Sequence, residues 1–101
     1  MSIEQFIDNE VKSNDVVLFM KGTPQFPQCG FSAAVVGMLK QTGARFGSYD
    51  ILTDPEMREG LKEYSSWPTY PQLYVDGKLI GGADIVRALH DQGQLDKMIA
   101  G

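Results

Sequence analysis

The sequence predicts an α/β domain in which four short strands form one mixed sheet with helices on both faces. Three observations carry that expectation. After an opening amphipathic segment, strand-like and helix-like runs alternate twice, the order that builds a parallel strand pair with crossover helices. An Asp-Gly pair then joins two further strand-like runs, which is the signal of a tight antiparallel hairpin. The chain has 101 residues, 43% hydrophobic and 22% charged, which suits one compact domain over residues 1–101 with its own core.

The elements follow in order. In "SIEQFIDNEVK", Ile3, Phe6, Ile7 and Val11 form one apolar stripe at helical spacing, with Ser2 placed to cap the first turn. "DVVLFMK" is an unbroken apolar, β-branched and aromatic run that stops at Gly22 and Pro24, which reads as a central strand buried on both faces. "FSAAVVGMLKQTG" predicts a helix from near Phe31 to a cap at Gly43. "ARFGSYDIL" predicts the second strand, and "DPEMREGLKEYS" a helix with Asp54 as cap and Pro55 in its first turn. "QLYVDGKLIGG" predicts a hairpin about a type I′ turn at Asp76-Gly77, and "DIVRALHDQGQLDKMIA" supplies the closing helical turns. Alternation followed by a hairpin and a helix is the thioredoxin-like arrangement.

Charge and cysteine usage narrow the function. The formal net charge is −4 and no basic run offsets it, which argues against a nucleic-acid partner. A single cysteine precludes an internal disulfide and suits a reducing compartment. The N-terminal stretch lacks the charged-then-apolar pattern of a signal peptide, and no apolar run reaches the roughly 18 residues of a membrane span. The expected location is the cytoplasm, or an organelle matrix if a transit peptide has been removed, with no membrane partner.

That cysteine lies in "KGTPQFPQCGFS", just ahead of a predicted helix. A free thiol titrates near roughly 8.5, whereas unpaired N–H groups and the dipole at a helix start favour the anion. Lys21 can sit near the same helix start, beside either the thiolate or a ligand carboxylate. A lone cysteine in an arbitrary protein is more often a small buried hydrophobe, but the position of Cys29 between Pro27 and a helix start favours chemistry. Ser32 occupies the position where a thiol-disulfide enzyme would carry a second cysteine. Downstream, "WPTYPQLYV" places Pro68 and Pro71 before and at a strand start, leaving neighbouring backbone free to pair with something else. The Tyr70-Pro71 bond would be trans by the general frequency of X-Pro bonds.

"MKGTPQFPQCGFSAAVV", "YDIL" and "WPTYPQLYVDGKLIGGADIV" together resemble the monothiol glutaredoxins of the CGFS type, with spacing matched across nearly the whole chain. The resemblance implies the same thioredoxin-like fold and a cis Pro71. It implies a glutathione site in which Cys29 faces the ligand thiol, Lys21 and Arg58 hold its glycyl carboxylate, and Lys62 lies nearby. Tyr70 would pair with the cysteinyl backbone as a strand edge does, flanked by Thr69 and Pro71. Gly82, Ala83 and Asp84 would bind the γ-glutamyl end, and Asp84 fits equally as the cap of the following helix. Phe31 would flank the site, although plain core explains it too. Many relatives carry a second cysteine where this chain has Ala83, so a mixed disulfide at Cys29 would need an external thiol.

Two functions follow from the resemblance. In the first, a homodimer holds a bridging [2Fe-2S] cluster through Cys29 of each protomer and two glutathione thiolates, and delivers it to apo iron-sulfur proteins, with BolA-like proteins as partners. In the second, Cys29 is the catalytic thiol of a weak glutathione-dependent thiol-disulfide oxidoreductase. The lengthened "TPQFP" connection favours cluster carriage. A purely structural interaction module leaves Lys21, Arg58 and the proline segment without a joint explanation. His90, with no second histidine, is read as a surface residue, and Trp67 as packing.

Overall fold

The structure, a computed structural model, describes residues 1–100. Its elements are α1 (Ile3–Ser13), β1 (Val16–Met20), α2 (Gly30–Thr42), β2 (Gly47–Asp50), α3 (Pro55–Ser65), β3 (Gln72–Val75), β4 (Lys78–Gly81), α4 (Ala83–Asp91) and α5 (Gln94–Ala100). The sheet order is β2-β1-β3-β4. β1 runs parallel to β2, with Val17 opposite Gly47, and antiparallel to β3, with Leu18 opposite Leu73. The architecture is the four-stranded mixed sheet with flanking helices of the thioredoxin-like fold.

All five residues of β1 are buried, because successive side chains point to opposite faces and both faces are covered. Val16, Leu18 and Met20 meet Val35, Leu39 and Val86 from α2 and α4. Val17 and Phe19 meet Ile7, Val11 and Leu61 from α1 and α3. Complete burial of a side chain such as Phe19 contributes about 1.5–3 kcal/mol, so the two layers are the main source of stability. α1 approaches α3 closely at Gly60, where an added Cβ would stand 3.0 Å from Ile3 Cγ2. Two phenols fasten α1 further: Tyr64 donates to Asp8 at 2.8 Å, and Tyr49 donates to Glu10.

The expected punctuation is present. Ser2 and Gln5 form a reciprocal capping box on α1, and Asp54 accepts from Met57 N–H at the start of α3. Asp76 and Gly77 have φ of 52° and 80°, the positive pair that a type I′ turn requires. Three details differ from the sequence reading. β2 stops at Asp50, because its carboxylate accepts from Leu52 N–H and turns the chain away from the sheet. The closing segment is two helices, broken at Gly93, where φ is 71°. The cap of α4 is Gly82, so Asp84 lies within the first helical turn and is not a cap. Among the described residues, no helix is long and apolar enough to cross a membrane.

Candidate active site around Cys29

Cys29 is the N-cap residue of α2, in extended conformation and half-buried. No N–H of the helix start closes a full capping hydrogen bond to the sulfur, which leaves it open to a reaction partner while the Ser32 and Phe31 N–H groups still favour its anion. The thiol is held below its ordinary value chiefly by the Ser32 backbone N–H. The Phe31 N–H, the Lys21 charge and the Ser32 hydroxyl add to this, against an opposing effect of partial burial. The helix start therefore favours thiolate more through directed N–H groups than through the lysine. Ser32, fully buried, also accepts from the Lys21 backbone N–H at 3.1 Å. The residue standing where a second cysteine is absent thus ties the end of β1 to the first turn of α2.

The connection from Lys21 to Cys29 is pinned at several points. Gly22 N–H donates to Asp50 Oδ1 at 3.0 Å, and Gln28 N–H donates to Lys21 O at 2.9 Å. Thr23 and Phe26 exchange backbone bonds, and Gly22 pairs with Pro27 as an isolated antiparallel bridge. Gly22 has φ of 89°, and a Cβ there would lie 2.5 Å from Phe26 O. The tight path leaves the Phe26 side chain 75% exposed.

A cavity of about 480 Å³ opens beside Cys29. Lys21 enters it from the end of β1, Arg58 and Lys62 from α3, and Thr69 and Tyr70 from the loop before β3. Gly82, Ala83 and Asp84 enter from the start of α4, and Phe31 from α2. Three cations from two elements and one carboxylate from a third therefore share one wall system, which suits a small zwitterion with acidic ends. Phe31 is 62% exposed, which removes the plain-core alternative for it. Lys62 also lies 3.5 Å from Glu59, so part of its charge is answered locally.

One residue of the sequence-derived set stands outside this wall. Pro71 is buried behind the cavity, with its carbonyl 3.4 Å from where a Gly82 Cβ would stand. The Tyr70-Pro71 bond is cis, as the resemblance implied and against the general frequency. Trp67, read from sequence as packing, does line the cavity, while its buried Nε1 has no partner.

Residues that sequence reasoning passed over hold this wall in place. Gln72 is fully buried, and its amide donates to Trp67 O at 3.1 Å and to Thr69 O at 3.3 Å. Tyr74 donates to the Gln72 carbonyl at 3.2 Å. Tyr70 donates to Arg58 O at 2.6 Å, linking the loop to α3. Gln72 was detectable as the one amide in an otherwise apolar strand, whereas the Asp50 and Ser32 roles carry no sequence signal. Among the described residues, no group of three or more His, Cys, Asp or Glu could hold a metal, so iron at Cys29 would need ligands from outside the chain.

Comparison with known proteins agrees with this geometry. The glutaredoxin family profile matches residues 16–80. The chain is 52% identical over 97 residues to a probable monothiol glutaredoxin 2 of Rickettsia felis, covering 96% of this chain and 93% of that protein. It is 55% identical over 94 residues to monothiol glutaredoxin-S11 of rice, covering 93% of this chain but only 19% of that longer protein. The solution structure of reduced poplar apo GrxS14 superposes with a TM-score of 0.84 at 51% identity, covering 97% of this chain and 90% of the other. A buckwheat glutaredoxin solved as its glutathione complex superposes with a TM-score of 0.86 at 28% identity, covering 97% and 87%. With the fold, the lone thiol and these similarities in agreement, the chain belongs to the glutaredoxin family, on its monothiol branch.

Proposed function

We propose that this chain binds glutathione in the cavity beside Cys29 and, as a homodimer, carries a [2Fe-2S] cluster to apo iron-sulfur proteins. The observation that carries the reading is a single thiolate-favoured cysteine opening into a cavity with cations from two elements and a carboxylate from a third. Lys21 and Arg58 hold the glycyl carboxylate, with Lys62 nearby. The Tyr70 backbone, flanked by Thr69, pairs with the cysteinyl portion. The start of α4 takes the γ-glutamyl end, where Gly82 and Ala83 bring backbone close and Asp84 accepts from the ammonium group. The buckwheat relative solved with glutathione supports a peptide of this kind as ligand.

The cluster is cargo in this reading. It takes four sulfur ligands and one chain supplies one, so two chains and two glutathiones complete the set. Cys29 fits that task because ligation needs a deprotonated sulfur and the helix start already favours one. BolA-like proteins are the proposed partners, and a reducing compartment, cytoplasm or organelle matrix, is the proposed location. A relative named as mitochondrial in Saccharomyces cerevisiae supports the second location.

Anaerobic reconstitution with iron, sulfide and glutathione tests the reading. The expected product is a coloured dimer with two irons per pair of chains, which Cys29→Ser no longer forms. An equally stable cluster in that variant would falsify the assignment. The lowered Cys29 pKa also supports a second reading. In it the thiolate attacks the glutathione sulfur of a mixed disulfide, releases the other thiolate and is itself restored by a second glutathione, which leaves as glutathione disulfide. Rapid glutathione-dependent turnover of a small mixed disulfide would put this reading first.

A further inference from the structure

Among the described residues, two buried side-chain N–H groups have no hydrogen-bond partner, Arg58 Nε and Trp67 Nε1. Both belong to residues in the wall of the cavity beside Cys29. Buried donors in folded proteins are almost always paired, so a pair of orphans on one wall marks a place where an acceptor comes from outside. The glycyl carboxylate assigned to Arg58 accounts for the first. The second has no such counterpart.

Trp67 is held through its backbone: its N–H donates to Ser65 Oγ at 3.1 Å, and its carbonyl accepts from the Gln72 amide at 3.1 Å. The indole Nε1 lies 3.5 Å from where a Gly82 Cβ would stand, at the seam between the loop before β3 and the start of α4. α4 begins there without a side-chain cap, so no side chain of the cap residue claims its first N–H groups. The cations of the cavity, Lys21, Arg58 and Lys62, come from the end of β1 and from α3, whereas the α4 wall adds only a carboxylate, Asp84. A carboxylate bound against α4 therefore depends on neutral N–H donors.

We propose, resting on the reading that glutathione fills this cavity, that Trp67 is a further binding residue whose indole N–H donates to the α-carboxylate of the γ-glutamyl end. Lys21 and Arg58 take the glycyl carboxylate of the peptide, and Asp84 takes the ammonium group beside the other carboxylate. That second carboxylate is left to the N–H groups at the start of α4 and to the indole. A hydrogen bond to a charged acceptor is stronger than a neutral one, and a neutral donor serves the carboxylate without pairing with Asp84, as a cation there would. Because Nε1 is sealed from solvent in the free chain, the indole and the start of α4 part slightly as the carboxylate enters. The unpaired donor destabilises the free chain, and binding removes that penalty.

Trp67 is the sole tryptophan, so the isotope-labelled protein has a single indole N–H resonance in its nuclear magnetic resonance spectrum. That resonance should move downfield as glutathione saturates the site. Calorimetry then compares glutathione with γ-aminobutyryl-cysteinylglycine, which keeps the amine and lacks the α-carboxylate beside it. In Trp67→Phe, glutathione affinity should fall about tenfold while that of the analogue stays within about twofold. An equal loss for both peptides, the mark of a merely structural role, overturns the proposal. So does an indole resonance unmoved at saturation, a result that needs no variant and stands even where Trp67→Phe fails to fold. Calorimetric binding with an unmoved resonance removes the Trp67 role alone, whereas absence of glutathione binding to the unmodified protein removes the glutathione reading and the Trp67 role together.

Discussion

Replacing Gln72 with leucine probes the polar clamp behind the cavity wall. The side chain is fully buried and its amide serves three partners: Trp67 O, Thr69 O and the Tyr74 hydroxyl. Leucine preserves most of the bulk and none of the bonds. Ser65 Oγ lies 3.5 Å from Trp67 O and can relieve it only by turning away from Leu61 O, to which it donates at 2.6 Å, whereas Thr69 O and the Tyr74 hydroxyl have no such alternative and are the principal orphans. At about 1–3 kcal/mol for each unsatisfied group, the expected loss is about 2–4 kcal/mol, allowing for some access of water to Thr69. For a domain of this size that is a fall in melting temperature of about 10–25 °C. Urea unfolding followed by far-ultraviolet dichroism measures the loss, and Trp67, the sole tryptophan, reports on the segment by its emission. Glutathione affinity should fall with it, by about tenfold, since the segment held by Gln72 forms one wall of the cavity. A loss below about 1 kcal/mol with unshifted emission would show that the three bonds contribute little beyond what water offers.

The pH dependence of Cys29 follows from its lowered pKa: the folded state favours thiolate relative to the unfolded chain. This stabilisation is complete above the unfolded value near roughly 8.5 and is lost as pH falls through the folded value. Iodoacetamide alkylation should therefore have its midpoint below that of the urea-unfolded protein, and coincident midpoints would refute the N–H network. All four tyrosines, Tyr49, Tyr64, Tyr70 and Tyr74, are pushed up to about 12, with burial the leading cause in each. That contribution to stability is complete below about 10 and is lost as pH rises from there towards 12, so phenolate absorbance in the native protein should lag the unfolded chain across this window. Gly22→Ala should cost about 1–3 kcal/mol through its positive φ and the clash with Phe26 O, and an unchanged urea midpoint would contradict the pinned loop. Arg58→Ala and Lys21→Ala should each weaken glutathione binding by about tenfold, and Lys62→Ala by less, because Glu59 already shares its charge. Calorimetry that ranks Lys62 first would reverse the proposed roles.

Much of this organisation is written in local pattern. Ser2, Asp54 and the Asp76-Gly77 pair specify caps and a turn within three or four residues, so their outcome depends little on distant packing. The unbroken apolar run of β1 announces burial on both faces, and helices do cover both. Features that rest on long-range pairing were not legible. The early end of β2 follows from the Asp50 carboxylate, which accepts from Gly22 and Leu52 at once. Asp84 reads as a cap from sequence, yet the chain enters α4 two residues earlier, at Gly82.

The sequence by itself determined that a single thiol stands at a helix start in an α/β chain, because composition, periodicity and a lone Cys29 are properties of the chain alone. Tertiary structure decided what surrounds that thiol. Lys21, Arg58 and Asp84 are far apart in sequence and share a cavity only because β1, α3 and α4 converge there. Tertiary contact also gave Ser32 its work: burial requires its hydroxyl to find a partner, and it accepts from the Lys21 N–H at the end of the central strand. A second cavity that Cys29 and Phe31 line together with Arg87 has the same origin, in the packing of α2 against α4.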